Sequence, residues 1–374
     1  MVGLANSRFN LDVLIAIGNN DTGPRYETLA RLVTLVQENR KMTKKNRRSL
    51  RRHYRQAVGP ALKPVSDQDV SELLSGGSPS EASKSLRWTS GRPHTVRSNN
   101  INWEAAIWLT VVHLGAVFAP WTFTWSALVL VIVLHWLCGG VGICLGFHRL
   151  LTHASFHTQK WTQRAIATIG CLAGEGPPLQ WVANHRLHHA RSDQEGDPHS
   201  PHDGGWWSHV FWLAYRVGGK DSNEFYRKWA PDLYQDWYMR ALNYLFLPLN
   251  VAVSAVIMAL GYAWGGWPIA ISWLVWGVAV RMVFVLHSTW LVNSASHMWG
   301  YRNYQTRDDS RNNWWVALIT YGEGWHNNHH AHPRMAKHGH KWWEFDVTFL
   351  TIRLMRFVKL AWDVVDYRSK ADLK

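Results

Sequence analysis

Histidine motifs are the part of this sequence best suited to chemistry. Two HxxHH motifs begin at His185 and His326, an HxxxxH pair begins at His148, and His297 ends the phrase NSASH. Residues at i, i+3 and i+4 share one face of a helix, so each HxxHH motif can direct three imidazoles toward a single region. Zinc takes about four ligands and iron about six at most, so one ion cannot use them all. The motifs therefore predict a two-metal centre held by nine histidines: His148, His153, His185, His188, His189, His297, His326, His329 and His330.

Ligand type alone leaves the metal open, because imidazole suits zinc, copper and iron. The sequence has no HExxH motif, which argues against a zinc peptidase, and no cysteine pair suited to an iron–sulfur cluster. The three cysteines are predicted to be buried, inert thiols. Histidines in apolar segments, such as His113, His135 and His287, are predicted to form hydrogen bonds between helices.

Four apolar runs must position these motifs. They cover about residues 103–119, 125–147, 242–264 and 267–292, and each is close to the 20 or so residues that cross a bilayer as a helix. The connections at 120–124 and 265–266 are short. The runs are therefore predicted to form four transmembrane helices in two hairpins, giving an all-α integral membrane fold.

The distribution of basic residues predicts the orientation. Lys and Arg number 17 in residues 1–100, 10 in 148–241 and 12 in 298–374, and the two hairpin tips hold none. By the positive-inside rule, both termini and the histidine motifs are then cytoplasmic. Arg281, inside the fourth run, is the exception and is expected to face the protein interior.

The first hundred residues are predicted to be a basic, disordered extension, and residues 101–374 a membrane domain. Residues 40–55 carry nine Lys and Arg and no acidic residue. Without interleaved aromatic residues, this segment favours contact with anionic membrane lipids, and no nucleic acid partner is expected.

Taken together, the motifs closely resemble those of the membrane fatty-acyl desaturases of the stearoyl-CoA and acyl-lipid Δ9 type. The resemblance runs from about Trp103 to Phe357, and its most specific phrases are GFHRLLTH, HRLHHARSDQEGDPHSP, WWSHVFW, NSASHMWGYRNY and GEGWHNNHH. It implies four membrane helices, a cytosolic helical cap and two iron ions held by the nine histidines. It also implies that Asn293 contributes through a bound water.

The implied activity is the O2-dependent introduction of a cis double bond, at Δ9 by analogy, into a saturated fatty-acyl chain. Because the chain carries no HPGG haem motif and no GxGxxG flavin motif, the electrons are expected from a separate ferredoxin or cytochrome b5. The net charge of +14 suits either acidic carrier. Ala183 and Val217 stand where acyl-CoA-using relatives are expected to carry basic residues, which favours an acyl-lipid substrate over acyl-CoA.

Two alternatives from other classes remain open. A related di-iron hydroxylase or ketolase would share the ligands but insert oxygen. A membrane metal transporter or sensor is disfavoured, because the polar ligands lie outside the apolar runs.

Overall fold

A computed structural model describes residues 100–217 and 222–366. Within these ranges the chain is helical and contains isolated β-bridges but no strand, which confirms the predicted all-α class. The predictions for the basic extension, residues 1–100, lie outside the described residues except at Asn100.

The described residues contain thirteen α-helices. They are α1 Trp103–Val117, α2 Trp125–His135, α3 Lys160–Cys171, α4 Pro178–Arg191, α5 Gly205–His209, α6 Ser222–Trp229, α7 Pro231–Gln235, α8 Trp237–Leu274, α9 Arg281–Asn293, α10 Ala295–Met298, α11 Trp314–Ile319, α12 His326–Ala331 and α13 Val347–Phe357. A π-helical segment, Trp136–Thr152, continues α2, and another, Val275–Val280, joins α8 to α9. Short 3-10 turns lie at Ala119–Trp121, Pro201–Asp203 and Phe211–Ala214.

Three helical stretches are long and apolar enough to cross a membrane: Trp103–Trp121, Trp125–Thr152 and Trp237–Met298. Side-chain oxygens cap the first two at their N-termini, where Asn102 accepts from the amide of Ala105 and Thr124 from that of Ala127. Such caps satisfy amides that have no partner within the helix.

The third stretch, 62 residues long, reverses direction near its middle. Gly265 and Gly266 leave the helical conformation, and the φ of 70° at Gly266 suits glycine, which has no Cβ. A Cβ built on Gly261 would come within 2.9 Å of the Cα of Ala270, whereas a straight helix would hold these residues about 13 Å apart. The two arms therefore pack against each other as a hairpin, within which lie the third and fourth predicted apolar runs.

Small residues and polar side chains join the two predicted hairpins. Gly277 approaches Leu130 of α2, and a Cβ at Gly115 of α1 would meet Ala279 at 3.0 Å. Near the turns, Thr124 and Ser272 share a 2.8 Å hydrogen bond. Apolar helices associate through close packing of this kind in lipid, because the hydrophobic effect does not drive them together there.

Arg281 lies where α9 begins and is only 2% exposed, as expected from its position in an apolar run. Its Nε donates to the carbonyl of Gly277 at 3.2 Å, and its Nη1 donates to the carbonyl of Leu172. These contacts tie α9 to the loop after α3. That loop, in turn, leads into α4 and the second histidine motif.

Candidate metal centre and acyl cavity

The ends of four helical segments bring all nine predicted histidines into two groups. The first group is His148, His153, His185, His189 and His329, and the second is His188, His297, His326 and His330. In each group the ligand-capable atoms lie within 4.8 Å of one another. The HxxxxH pair ends the first π-helical segment, α4 and α12 carry the two HxxHH motifs, and α10 carries His297.

Each HxxHH motif serves both groups. His185 and His189 belong to the first group and His188 to the second, whereas α12 gives His329 to the first and His326 and His330 to the second. Positions i and i+4 lie about 40° apart around a helix, while i+3 lies about 60° to the other side of i. The three imidazoles predicted to converge on one region are therefore divided between two adjacent groups.

The geometry fits metal ligation. Facing Nε2 atoms are 3.1 Å apart between His148 and His329 and between His297 and His326. Ligands at right angles on a metal with bonds of about 2.1 Å would lie about 3.0 Å apart. The buried Nε2 atoms of three further members have no hydrogen-bond partner among the described residues, and these are His153, His188 and His330.

Burial also sets the charge of most of these imidazoles, whereas for His297 the nearby Asp193 outweighs burial and raises the pKa to about 9. Burial lowers the pKa of His330 to about 4, and burial together with the neighbouring histidines lowers the pKa of five others well below the ordinary value: His153, His185, His189, His326 and His329. Their neutral form is the one that can bind a metal. The donor set therefore suits the metal site predicted from the motifs.

Carboxylates behind the histidines orient the second group. The Nδ1 of His188 lies 3.0 Å from Asp197, and the Nδ1 of His297 lies 2.8 Å from Asp193. Asp308 accepts from the Nδ1 of His330, also at 2.8 Å. A proton held at Nδ1 leaves the lone pair on Nε2, which faces the group, and raises the basicity of the ring. Sequence reasoning did not identify these aspartates.

The first group has one such carboxylate, Glu323, which accepts from His148 Nδ1 at 2.7 Å. Arg149, which is fully buried, donates to Glu323 at 2.8 Å and to Asp346 at 2.9 Å. Asp346 also caps α13 by accepting from the amide of Phe349. Arg149 thus connects the first histidine motif to the C-terminal helix.

A cavity of about 600 Å³ adjoins the histidines. Its walls are largely apolar and include Tyr244 and Leu247 of α8, which are 81% and 54% exposed. His148, His185 and His326 also line it. Asn293, the tenth predicted site residue, ends α9 and lines the cavity as well.

Glu175 is a polar residue in the cavity wall that the motifs did not reveal. Its carboxyl group contacts Thr289 Oγ1 at 2.7 Å and accepts from Trp181 Nε1 at 2.8 Å. Burial raises its pKa to about 7. Glu175 therefore holds its proton under conditions in which a solvated carboxyl is ionised.

Two of the three histidines in apolar segments form hydrogen bonds between helices, as predicted. The Nε2 atoms of His113 and His287 lie 3.1 Å apart, and His287 continues to His209 at 3.0 Å. His135 instead pairs with the hydroxyl of Tyr321, which lies in the turn after α11. All three cysteines are buried and free, also as predicted.

Comparison with known proteins identifies the class. Residues 119–345 match the fatty acid desaturase family model, which is more than half of the chain. The chain therefore belongs to the fatty acid desaturase family and is an oxidoreductase.

Several relatives match about 70% of this chain. The sn-2 palmitoyl-lipid 9-desaturase of Nostoc sp. (strain 36) is 46% identical over 73% of this chain and 93% of its own length. The sn-1 stearoyl-lipid 9-desaturase of Anabaena variabilis is 44% identical over 71% and 94%. The Acyl-CoA 5-desaturase AL21 of Anemone leveillei is 42% identical over 68% and 76%.

Proposed function

We propose that this enzyme is an acyl-lipid Δ9 desaturase that introduces a cis double bond into a saturated chain esterified to a glycerolipid. One observation carries the proposal: a largely apolar cavity is lined both by exposed residues of α8 and by histidines of the two groups. The relatives named above as 9-desaturases act on palmitoyl-lipid and stearoyl-lipid. The reaction balances as –CH2–CH2– + O2 + 2e− + 2H+ giving –CH=CH– + 2H2O.

Two iron ions are the proposed cofactor, one in each histidine group, with the nine histidines as ligands. Iron with dioxygen supplies the oxidising power that an unactivated methylene requires and that no side chain provides. The protein holds the ligands, orients them through Nδ1, and confines the acyl chain between apolar walls. Asn293, on the cavity wall near His326, is proposed to hold a water at the second group.

The cavity supports a lipid rather than a coenzyme A thioester. No lysine or arginine of the described ranges lines it, so the phosphates of coenzyme A would find no cationic partner there. Ala183 is completely buried, and Val217 packs against the hydrophobic core. The exposed Leu247 and Tyr244 in its lining suit entry of an acyl chain from the bilayer.

Four membrane crossings are proposed, with both termini and the metal centre on the cytoplasmic side. Six of the exposed tryptophans support this arrangement, because they lie at the ends of the apolar helices, where indole favours the water–lipid interface. These six are Trp103 and Trp237 where α1 and α8 begin, and Trp121, Trp125, Trp264 and Trp267 at the two turns. Residues 1–100 are proposed to be a separate basic extension that contacts anionic lipid, followed by the membrane domain from residue 101.

Electrons are proposed to come from a separate ferredoxin or cytochrome b5, because the sequence contains neither a haem nor a flavin motif. The basic residues assigned to the cytoplasmic side would accelerate association with an acidic carrier.

Expression in a host that lacks Δ9 unsaturation tests the activity. We expect cis-Δ9 monoenes in the glycerolipids before they appear in the acyl-CoA pool, and none with His188→Ala. Hydroxylated or oxo products would identify the alternative hydroxylase or ketolase. Saturated lipid alone, from a protein that carries two irons and a competent electron donor, would refute the proposal.

A further inference from the structure

The two histidine groups differ in how many carboxylates contact their histidines. They also differ in whether a cationic side chain pairs with those carboxylates. Asp193, Asp197 and Asp308 each contact a histidine of the second group at 2.8–3.0 Å. Within residues 100–217 and 222–366, none of the three forms an ion pair with lysine or arginine. The second group therefore has three carboxylates whose side chains no lysine or arginine of the described ranges contacts.

Neutral donors hold these three aspartates in place. The amide of Asp309 donates to Asp193 at 2.8 Å, and the amide of Asp193 donates to Asp197 at 2.9 Å. The hydroxyl of Thr306 donates to Asp308 at 2.8 Å. These bonds favour the ionised carboxylates without removing their negative charge.

The first group differs. Its carboxylate, Glu323, shares the buried cation Arg149 with Asp346, so this trio carries one net negative charge. Only one of its five histidines, His148, forms a hydrogen bond with a carboxylate. The first group thus has one more imidazole, and the second has more uncompensated charge.

We infer that the two metal positions are chemically unequal, and that Asp193, Asp197 and Asp308 make the second position bind its metal more tightly and favour the higher oxidation state. The inference rests on the proposed two-iron assignment. Its physical basis is that carboxylates on Nδ1 make the imidazoles more basic, and that buried charges are screened weakly. Loss of one such partner costs about 10–100-fold in metal affinity in comparable sites.

The experiment uses the full chain, produced in 57Fe-enriched medium and purified in detergent. Chelator titration with iron counting should show two steps, and stepwise oxidation followed by Mössbauer spectroscopy should show one iron becoming ferric first. In Asp308→Asn, which keeps size and removes charge, one iron should dissociate at a chelator concentration about 10–100-fold lower. In the same variant, the two irons should become ferric more nearly together than in the wild type.

Asp309→Asn is the matched control, because Asp309 is adjacent, partly exposed and paired with His202 instead of a member of either group. Asp309→Asn should leave both steps of the chelator titration unchanged. Asp197→Asn, which acts through a different histidine, should affect the same iron as Asp308→Asn and provides the test if Asp308→Asn does not fold. Two irons that leave and oxidise together in the wild type would overturn the inference, as would equal behaviour of Asp308→Asn and Asp309→Asn. A purified wild type without iron would instead overturn the proposed function.

Discussion

Glu175 allows a quantitative test of how strongly the cavity wall disfavours an ionised carboxylate. The substitution Glu175→Gln keeps the size of the side chain and both of its contacts, because the amide can accept from Trp181 and donate to Thr289. What it removes is the ability to ionise. The free energy of unfolding should therefore change with pH in the wild type but much less in the variant over the same range.

The magnitude follows from the pKa of Glu175, which burial raises from 4.5 to about 7. Below pH 4.5 the carboxyl is neutral in both the folded and the unfolded chain, so the two proteins should have similar stability. Between pH 4.5 and 7 the unfolded chain ionises while the folded chain retains its proton, and the wild type loses stability as pH rises. Above pH 7 the loss levels off at about 3 kcal/mol, or less if water in the cavity screens the charge.

Thermal unfolding of both proteins in detergent, measured at intervals from pH 4.5 to 8.5, provides the assay. The advantage of Glu175→Gln should grow with pH and reach a plateau above pH 7. Thr289→Val serves as a control for loss of the hydrogen bond, since it removes a partner and leaves the carboxyl titratable. A constant difference across the range, or a variant less stable at pH 8 than the wild type, would show that Glu175 is not held neutral by burial.

Four further outcomes are expected. His329→Ala should lower the iron content measured by elemental analysis and abolish product formation; an active preparation holding only tightly bound zinc would contradict the iron assignment. Asn293→Ala should keep most of the iron yet lose most of the turnover, whereas His297→Ala should lose both, and near-normal desaturation by Asn293→Ala would assign that residue to packing. Deletion of residues 1–98 should leave membrane insertion and lipid desaturation intact, and an iron-loaded but inactive truncation would reveal a role for the extension. Arg149→Met leaves two buried carboxylates unpaired and should cost about 3–5 kcal/mol in thermal or denaturant unfolding, so unchanged stability would contradict the proposed link.

Regular spacing explains what the sequence could predict. The HxxHH motifs follow helical periodicity, so six of the nine histidines could be selected from their spacing before the fold was known. The apolar runs around Gly265 and Gly266 likewise predicted a hairpin, because a connection of two residues forces neighbouring helices to be antiparallel. The helical class followed from the same runs.

Partners that are distant in sequence could not be predicted in this way. Glu323 lies three residues before His326 but contacts His148, 175 positions earlier. Asp308 precedes its partner His330 by 22 residues, and no periodicity connects them. The division of each HxxHH motif between two groups also depends on how α4 and α12 face each other, which local spacing does not determine.

The contribution of α12 to both histidine groups has a consequence for biosynthesis. His329 belongs to the first group, and His326 and His330 belong to the second. On the proposed ligand assignment, neither iron can be fully coordinated until the ribosome has translated past residue 330. All the apolar helices are therefore synthesised before either metal is fully coordinated, and a shortage of iron would leave a completed chain with vacant ligands instead of halting its synthesis.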